Sequence, residues 1–470
     1  MDVESLFPSE SDLDLSFTSC ASNTSTDRTF TSSSARSSLT LSFNESRGLS
    51  SSSGVHRPHR KSDPHWTAIH AATNLSPDGT IHLNHLKLLR HLGSGNLGRV
   101  FLCRLKDYDD SATFALKVID REALTNKKLS HVMMESQVLS VVDHPFLPTL
   151  YAHLEVSHYT CLLIDYCPGG DLHSLLRKQP GNRFRVDAVR FFASEVLVGL
   201  EYLHALGVVY RDLKPENILI REDGHVMLSD FDLCFTADVV PTLFKRFSSK
   251  VGPTKKNWLS CLEAVFRRRK EISDEEMTAF VAEPTAAYSR CCVGTHEYLA
   301  PELVNGNGHG NGVDWWAFGI FLYELLYGRT PFKGATKEAT LRNIASSRPF
   351  GFPESDVAAE ENGVAEVKDL IARLLVKDPR RRLGCAWGAA DIKRHPFFDG
   401  IKWPLIRTYS PPDVPGLMRK KSHVSHVRGG GSSFSLSRRK SLGKRWSWRG
   451  IGNFIKGKGS DSKLNKKISM

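Results

Sequence analysis

Two spacings of apolar residues mark out the folded part of the chain. From about Leu86 onward, apolar residues occur in short runs rich in Leu, Val and Phe, which predict β-strands. Farther along, as over residues 188–207, they recur at every third or fourth position, which predicts amphipathic helices. The patterned region continues to about Phe398. We therefore predict an α+β domain over residues 86–398, with strands first and longer helices after them.

The two ends of the chain lack such a pattern. Residues 1–60 are dominated by Ser and Thr, and the part after Pro415 is rich in Ser, Gly, Lys and Arg. Segments with so few apolar residues cannot offset the entropy cost of ordering. We therefore predict a disordered N-terminal region, 1–85, and a basic, largely disordered tail, 399–470.

A segment inside the domain interrupts the compact pattern. Over about residues 238–288, basic clusters alternate with short amphipathic pieces, as in an inserted loop. The cluster at residues 267–270 and the nearby Trp258 would suit an anionic lipid surface, and the tail repeats this mixture at Trp446 and Trp448. A solvated run of charges is the alternative for both segments.

Composition narrows the class of protein. A net charge of +12 favours an acidic partner, which could be a membrane surface, a nucleic acid or an acidic protein. The start of the chain leads into no apolar run, and no stretch has the length of a membrane span. Nine cysteines without metal-like spacing indicate reduced thiols in a cytosolic or nuclear compartment.

Three glycines lie between two of the predicted strands. They allow a tight hairpin whose main chain can lie against phosphates, while Val100 offers an apolar face to adenine. A helix directly afterwards would indicate a dinucleotide fold, but the next residues continue as a strand. An ordinary glycine-rich turn is the alternative. The predicted nucleotide loop comprises Leu92, Gly93, Ser94, Gly95, Asn96, Leu97, Gly98, Arg99 and Val100.

A lysine interrupts the next apolar run. Lys117 lies in a predicted strand over residues 114–119, where a buried ammonium is costly unless a partner holds its charge. Glu135, on a predicted helix over residues 130–142, can be that partner while the ammonium reaches the nucleotide phosphates. A lysine that extends from a strand end to solvent is the alternative.

The strongest signal is a polar loop over residues 210–217. Phosphoryl transfer needs a carboxylate that accepts the hydroxyl proton, a cation near the γ-phosphate and oxygen ligands for Mg²⁺. Asp212 and Lys214 meet the first two needs, and Asn217 and Asp230 supply the metal ligands. A polar turn between strands would not predict this set after a glycine loop and a strand lysine. We therefore predict an enzyme that uses ATP and Mg²⁺, with Asp212 and Lys214 as catalytic residues.

These motifs resemble those of the eukaryotic protein kinase family, and the sequence of residues 210–217 resembles that of its AGC group. The Asp-Phe-Asp triplet at residues 230–232 and the insertion look like the plant-specific branch of that group. The Asp-Pro-His-Trp segment at residues 63–66 is similar to the WAG- and PINOID-like subgroup. The resemblance implies a two-lobed fold with a small β-rich lobe and a large helical lobe, a long insertion in the activation segment, and serine/threonine kinase activity.

The resemblance also implies how nucleotide and substrate are bound. Asp165 and Cys167 would lie in the hinge that borders the adenine. Asp171 and Glu216 stand where AGC kinases bind arginines upstream of the phosphoacceptor, although Asp171 could instead cap the following helix. The implied substrates are therefore basic proteins.

One ion pair is expected to be structural. In a kinase, the glutamate that ends the motif at residues 294–302 pairs with the last arginine of the motif at residues 378–384. We therefore assign Glu302 to Arg382. Taken separately, each residue could be surface charge, but the order of the motifs favours the pair.

The sequence departs from the AGC pattern in the activation segment. Cys291 stands where AGC kinases have an activating Ser or Thr, and Ser289 lies two positions earlier. His131 and Arg211 stand where relatives contact the phosphate. Ordinary phosphorylation at this position is therefore not expected, and the segment must be held by other contacts or by phosphorylation of Ser289. The tail supplies no Phe-x-x-Phe motif.

The resemblance points to partners and location as well. It implies phosphorylation of PIN-type auxin efflux carriers, and the basic segments favour contact with anionic membrane lipids. We expect a monomer in the cytoplasm and, peripherally, at the plasma membrane, with the nucleus as an alternative. A catalytically dead kinase scaffold is disfavoured because each phosphate- and metal-contacting residue is present. No nucleic acid is expected, because no motif for it occurs.

Overall fold

The computed structural model describes residues 59, 63, 65–74, 76–106, 112–247, 276–348, 350–353 and 362–417. Within these ranges a small lobe of strands is followed by a larger lobe of helices, so the predicted two-lobed fold is confirmed. Several predictions lie outside the described residues: the disorder of residues 1–58 and 418–470, and the proposed lipid contacts of Trp258, residues 267–270, Trp446 and Trp448.

The small lobe is built on one antiparallel sheet with strand order β1-β2-β3-β5-β4. Both faces of β3 are covered, so nearly every residue of its apolar run is buried, as a central strand requires. One long helix, α2, lies between β3 and β4 in the chain. The bounds are β1 Leu86–Ser94, β2 Arg99–Leu105, β3 Phe114–Asp120, α2 Asn126–Val141, β4 Leu150–Val156 and β5 Tyr159–Asp165.

A helix also precedes the sheet, within the region 1–85 predicted to be disordered. This helix, α1, spans His65–Asn74 and buries Ala68 and Ile69 in the core of the small lobe. Just before the helix, Asp63 accepts a hydrogen bond from the Tyr151 hydroxyl of β4 over 2.5 Å, and Trp66 in the first turn packs against the Tyr151 ring. The prediction was wrong here because the helix gains its stability from partners far away in the sequence, which local composition does not report.

The large lobe is centred on helix α6, which is apolar on all sides and carries the fully buried Trp315 and Trp316. Such a helix belongs at the core of a domain. No helix of the described part of the chain is both long and apolar enough to cross a bilayer. The bounds are α3 Leu172–Leu176, α4 Val186–Ala205, α5 Pro301–Val304, α6 Gly312–Tyr327, α7 Lys337–Ala345, α8 Val364–Leu374 and α9 Ala389–Lys393.

Three short antiparallel pairs complete the architecture. Strand β6 (Val208–Val209) pairs with β9 (Phe235–Thr236), and β7 (Ile218–Ile220) pairs with β8 (Val226–Leu228). These two pairs flank the polar loop at residues 210–217. The third pair lies in the insertion, where β10 (Thr242–Phe247) runs antiparallel to β11 (Glu276–Val281). The insertion is therefore rooted in a strand pair, not in a plain loop.

The first part of the predicted tail is ordered against the large lobe. A short 3-10 helix over Trp403–Thr408 buries Ile406, and the Trp403 ring packs on Phe398. Farther on, the Gln179 side-chain amide donates to the Pro415 carbonyl over 2.9 Å. The compact unit thus continues beyond Phe398 as far as the described residues reach.

Candidate active site

The glycine loop forms the turn between β1 and β2. Ser94 pairs with Arg99, and the Gly95 amide donates to the Gly98 carbonyl over 2.9 Å. A side chain at Gly98 would clash with the carbonyl oxygen of Val118, so only glycine fits there. Gly93 and Gly95 instead face open space. The main chain of the loop is therefore free to approach phosphate groups, as the sequence analysis requires.

Lys117 and Glu135 are brought together across the small lobe. The Lys117 ammonium lies 2.6 and 2.7 Å from the two carboxylate oxygens of Glu135, and both side chains are largely buried. It also lies 3.3 Å from Asp230. Burial alone would lower the pKa of Lys117, but Glu135 and Asp230 raise it above its ordinary value. The lysine therefore stays charged at the mouth of the glycine loop.

Asp212 is buried at the centre of a group of buried and half-buried polar side chains. Its carboxylate accepts hydrogen bonds from Lys214 over 2.7 Å and from Asn217 over 2.8 Å. A third bond comes from the Thr295 hydroxyl, 3.1 Å away, which in turn accepts from Lys214 over 2.8 Å. These contacts fix the direction of the carboxylate. Sequence analysis did not single out Thr295, because it lies 83 positions beyond Asp212.

The main chain just before Asp212 is also fixed. Asp314, at the start of α6, accepts the Tyr210 amide over 2.8 Å and the Arg211 amide over 2.7 Å. Arg211 has a φ of 66°, a left-handed conformation that non-glycine residues rarely adopt. The two bonds to Asp314 hold this strained residue in place.

The two predicted metal ligands are linked by one short hydrogen-bonded segment. The Ser229 amide, next to Asp230, donates to the Asn217 carbonyl over 2.9 Å. Asp230 has a φ of 61°, and its side chain is 43% exposed. The Asn217 amide nitrogen is used by Asp212, which leaves its oxygen for a cation. Two oxygen donors beside a charged lysine fit the ligand preference of Mg²⁺.

The two predicted hinge residues, Asp165 and Cys167, can contact a nucleotide in different ways. The Asp165 carboxylate accepts the Thr149 amide over 2.7 Å and the Tyr151 hydroxyl over 3.0 Å, so its side chain is already engaged. Any contact from Asp165 to a base would therefore come from its main chain. Cys167 is buried, with its sulfur 3.7 Å from that of Met227, and burial raises the pKa of this thiol to about 12. The Cys167 side chain therefore provides an apolar surface in the hinge and does not act as a nucleophile.

Acidic residues occur on the side of the catalytic loop that faces α3. Asp171 caps α3, because its carboxylate accepts the Ser174 amide over 2.7 Å, so the capping alternative is confirmed. Glu216 is exposed. Sequence analysis missed Glu324, which accepts the Tyr298 hydroxyl over 2.5 Å. Burial raises the pKa of Glu324, and the negative charge of Glu216 raises it further. The sequence did contain a signal for this residue, because Glu324 is a single glutamate inside the apolar run of α6.

The activation segment around Cys291 is held by contacts that need no phosphate. Ser289 pairs through its main chain with His309 in both directions, over 2.8 and 2.9 Å. Its hydroxyl lies 3.4 Å from the Arg211 guanidinium and accepts the Cys291 amide over 3.2 Å. Arg211 also donates to the Leu233 carbonyl over 2.6 Å. The predicted phosphate-contacting arginine thus already has partners.

We expect the purified kinase to be active without phosphate in this segment. Burial and the neighbouring Lys127 and Arg211 lower the pKa of His131, which disfavours a positive charge on this residue. Phosphatase treatment should leave turnover unchanged. Ser289→Ala should lower it by no more than about fivefold, which corresponds to one ordinary hydrogen bond of about 1 kcal/mol. Mass spectrometry and peptide phosphorylation rates measure both effects, and complete loss of activity after either treatment would contradict the expectation.

The structural ion pair predicted from the sequence is present. Arg382 donates to the two carboxylate oxygens of Glu302 over 2.6 and 2.9 Å, and both side chains are buried. The guanidinium also donates to the Gly312 carbonyl over 2.8 Å and packs over the Trp316 ring. This pair links the end of the activation segment to the base of the large lobe.

Comparison with known proteins agrees with this geometry. Residues 86–248 and 271–398 match the family model described as "Protein kinase domain". Over 98% of the chain, the sequence is 60% identical to "Serine/threonine-protein kinase WAG1" and 61% identical to "Serine/threonine-protein kinase WAG2" of Arabidopsis thaliana, covering 95% of each. It is also 48% identical to "Protein kinase PINOID" of Oryza sativa subsp. japonica, over 77% of the chain and 75% of that protein. The chain therefore belongs to the protein kinase family, as a serine/threonine kinase of the WAG and PINOID type.

Proposed function

We propose that this kinase phosphorylates serines or threonines that follow basic residues, and that its physiological substrates are the cytosolic loops of PIN-type auxin efflux carriers. The observation that carries the proposal is the acidic surface beside the catalytic loop, formed by the exposed Glu216 and the half-buried Asp171. Behind it lies the buried Glu324, which pairs with Arg177 over 3.3 Å. An arginine-bearing peptide would find complementary charge there. The similarity to WAG- and PINOID-type kinases supports the choice of carrier.

The described residues suggest how transfer proceeds. Asp212 is fixed by Lys214, Asn217 and Thr295, so its carboxylate is oriented to accept the proton of the acceptor hydroxyl. The Lys214 ammonium, 2.7 Å from that carboxylate, can balance negative charge as the phosphoryl group moves. Lys117 and the glycine loop hold the nucleotide phosphates. Mg²⁺, held by Asn217 and Asp230, would neutralise charge on those phosphates.

Substrate choice can be tested with peptides from the carrier loops. We expect Glu216→Gln to raise the KM for a peptide with upstream arginines several-fold while the turnover number changes little, because one attractive charge is lost at the binding stage. A matched peptide with alanines in place of the arginines should be a poor substrate for both enzymes. Glu366→Gln, in the first turn of α8, is the control variant and should behave as the unaltered kinase.

Two outcomes would overturn the proposal. One is equal kcat/KM for the arginine and alanine peptides, which would show that the acidic surface does not select basic substrates. The other is a failure to phosphorylate any PIN loop peptide while a generic basic peptide is phosphorylated. That result would rule out PIN-type carriers as substrates but would be consistent with the preference for basic peptides. Initial rates with labelled ATP distinguish the two.

We also propose that the kinase divides between the cytoplasm and the plasma membrane, which it contacts through the insertion. Each Lys or Arg near an anionic leaflet contributes roughly 1 kcal/mol, so the four cations at residues 267–270 would supply several kcal/mol before ordering costs. The described base of the insertion adds apolar surface. Leu243 and Phe280 are cross-strand neighbours that are 70% and 63% exposed, and Val240 is exposed beside them.

We expect replacement of residues 267–270 by alanine to abolish most co-sedimentation with anionic liposomes at physiological salt. The electrostatic part of the attraction should weaken as ionic strength rises, whereas the apolar part should not. Neutral liposomes and a charge-neutral variant, Leu243→Ala with Phe280→Ala, separate these two parts. Unchanged binding of the quadruple variant would place the contact elsewhere, and the tail around Trp446 and Trp448 would be tested next.

A further inference from the structure

A buried carboxylate stands where the insertion rejoins the large lobe. Glu283 lies two residues after the end of β11, and its side chain is only 4% exposed. One of its oxygens lies 2.7 Å from His204 Nδ1 and accepts the Asn311 side-chain amide over 2.8 Å. The other accepts the Ala389 amide over 3.2 Å. The chain approaches Glu283 so closely at Gly388 that a side chain there would clash with its carboxylate.

The contacts continue from Glu283 to the catalytic loop. His204, at the end of α4, is fully buried, and its other ring nitrogen lies 2.8 Å from an oxygen of Asp314. Asp314 accepts the amides of Tyr210 and Arg211, the two residues before Asp212. A single path of hydrogen bonds thus runs from Glu283 through one imidazole and one carboxylate to the main chain beside the catalytic aspartate.

The charge on His204 is set by these neighbours. The groups that face its ring are the carboxylates of Glu283 and Asp314 and the edge-on ring of Trp315, whose centroid is 4.7 Å away. Burial alone would lower the pKa of His204, but Glu283 and Asp314 raise it to about 10. At neutral pH the ring is therefore an imidazolium that donates to both carboxylates. Such charge-assisted bonds are about twice as strong as neutral ones.

We propose that Glu283 is a positioning residue for phosphoryl transfer, which holds His204 in its doubly donating form and thereby fixes Asp314 and the catalytic loop. Asp314 accepts both loop amides, so its position fixes the main chain that leads into Asp212. The inference goes beyond the proposed function, since it concerns neither the substrate nor the membrane. It also means that the base of the insertion is part of the catalytic apparatus.

The expected signature is a new pH dependence. In Glu283→Gln the glutamine amide can still donate to a neutral imidazole, so the ring keeps a hydrogen bond but loses the charge that retains its second proton. The pKa of His204 should then fall toward the neutral range. The turnover number should be close to that of the unaltered kinase at pH 6, where His204 is protonated, and about three- to tenfold lower at pH 8.5. The KM for ATP and peptide should change little.

Two variants control for structural damage. Glu283→Asp keeps the negative charge, so it should restore a flat pH profile even if its turnover is somewhat lower. Glu201→Gln removes a carboxylate from α4 in the same region, where Glu201 pairs with Lys393 at the surface, and should leave the profile unchanged. Rates are measured from pH 6 to 8.5 with full-length enzyme, saturating ATP and one basic peptide, and thermal unfolding is followed at each pH.

The results separate the proposal from a purely structural role. A pH-dependent loss of turnover in Glu283→Gln that is absent from Glu283→Asp supports the proposal. A loss of thermal stability with turnover per folded enzyme unchanged at every pH would overturn it, as would an equal loss of turnover at all pH values. If Glu283→Gln does not fold, nuclear magnetic resonance of the His204 imidazole in the unaltered kinase decides the question. A ring that stays doubly protonated up to pH 8.5 supports the proposal, and a ring that loses its second proton below that pH overturns it.

Discussion

Asp212→Asn is expected to lower the turnover number by about 10²–10⁴-fold while ATP binds almost as tightly as before. The amide that replaces the carboxylate cannot accept a proton, yet it can keep some of the contacts to Lys214 and Thr295, so the loop should stay in place. A base that acts only during transfer contributes little to ground-state affinity. Initial rates with labelled ATP and nucleotide titration measure the two quantities separately.

Two further variants serve as comparisons for Asp212→Asn. Lys117→Met removes a charge that contacts Glu135 and Asp230, so it should weaken both ATP binding and turnover. Asp187→Asn, a surface change in the first turn of α4, should alter neither. Near-normal turnover of Asp212→Asn would show that another group accepts the proton, and the catalytic assignment would then be wrong.

Arg382→Ala is expected to lower the free energy of unfolding by about 3–5 kcal/mol, the usual cost of leaving one member of a buried ion pair without its partner. Glu302 would lose both of its hydrogen bonds to the guanidinium and remain buried with a negative charge. The Gly312 carbonyl and the Trp316 ring would lose a contact as well. Chemical denaturation of the full chain measures the change.

A neighbouring arginine provides the control. Arg380 is two residues away and exposed, paired only locally with Asp378, so Arg380→Ala should leave the denaturation midpoint unchanged. The double variant Glu302→Leu with Arg382→Met should recover part of the stability lost in Arg382→Ala, because no buried charge remains unpaired. Equal midpoints for the Arg380 and Arg382 variants would show that the buried pair contributes nothing.

The parts of the site that the sequence predicted are those whose chemistry is local. The glycine turn, the strand lysine and the polar loop at residues 210–217 each occupy a few consecutive positions whose residue types are costly without a role. The pairing of Lys117 with Glu135 could be predicted as well, since a buried ammonium requires a partner nearby. The two-lobed fold followed from the family that these motifs resemble.

The residues that were missed depend on contacts between distant parts of the chain. Thr295 and Glu324 join the site only once the activation segment and α6 lie beside the catalytic loop. The pairing of β10 with β11 joins strands on either side of a long insertion, and no alternating pattern in the sequence marked it. Glu283 looked like one acidic residue among many at the end of that insertion, because its importance comes from three partners on other elements.

Helix α1 changes where the catalytic unit begins. The match to the protein kinase family model starts at Leu86, but the side chains of Ala68 and Ile69 already belong to the core of the small lobe. A recombinant fragment cut at Leu86 would leave that part of the core open to water and would deprive Tyr151 of its bond to Asp63. Fragments for crystallisation or inhibitor screening should therefore start upstream of Asp63, and fusion partners are better attached before this residue than after it.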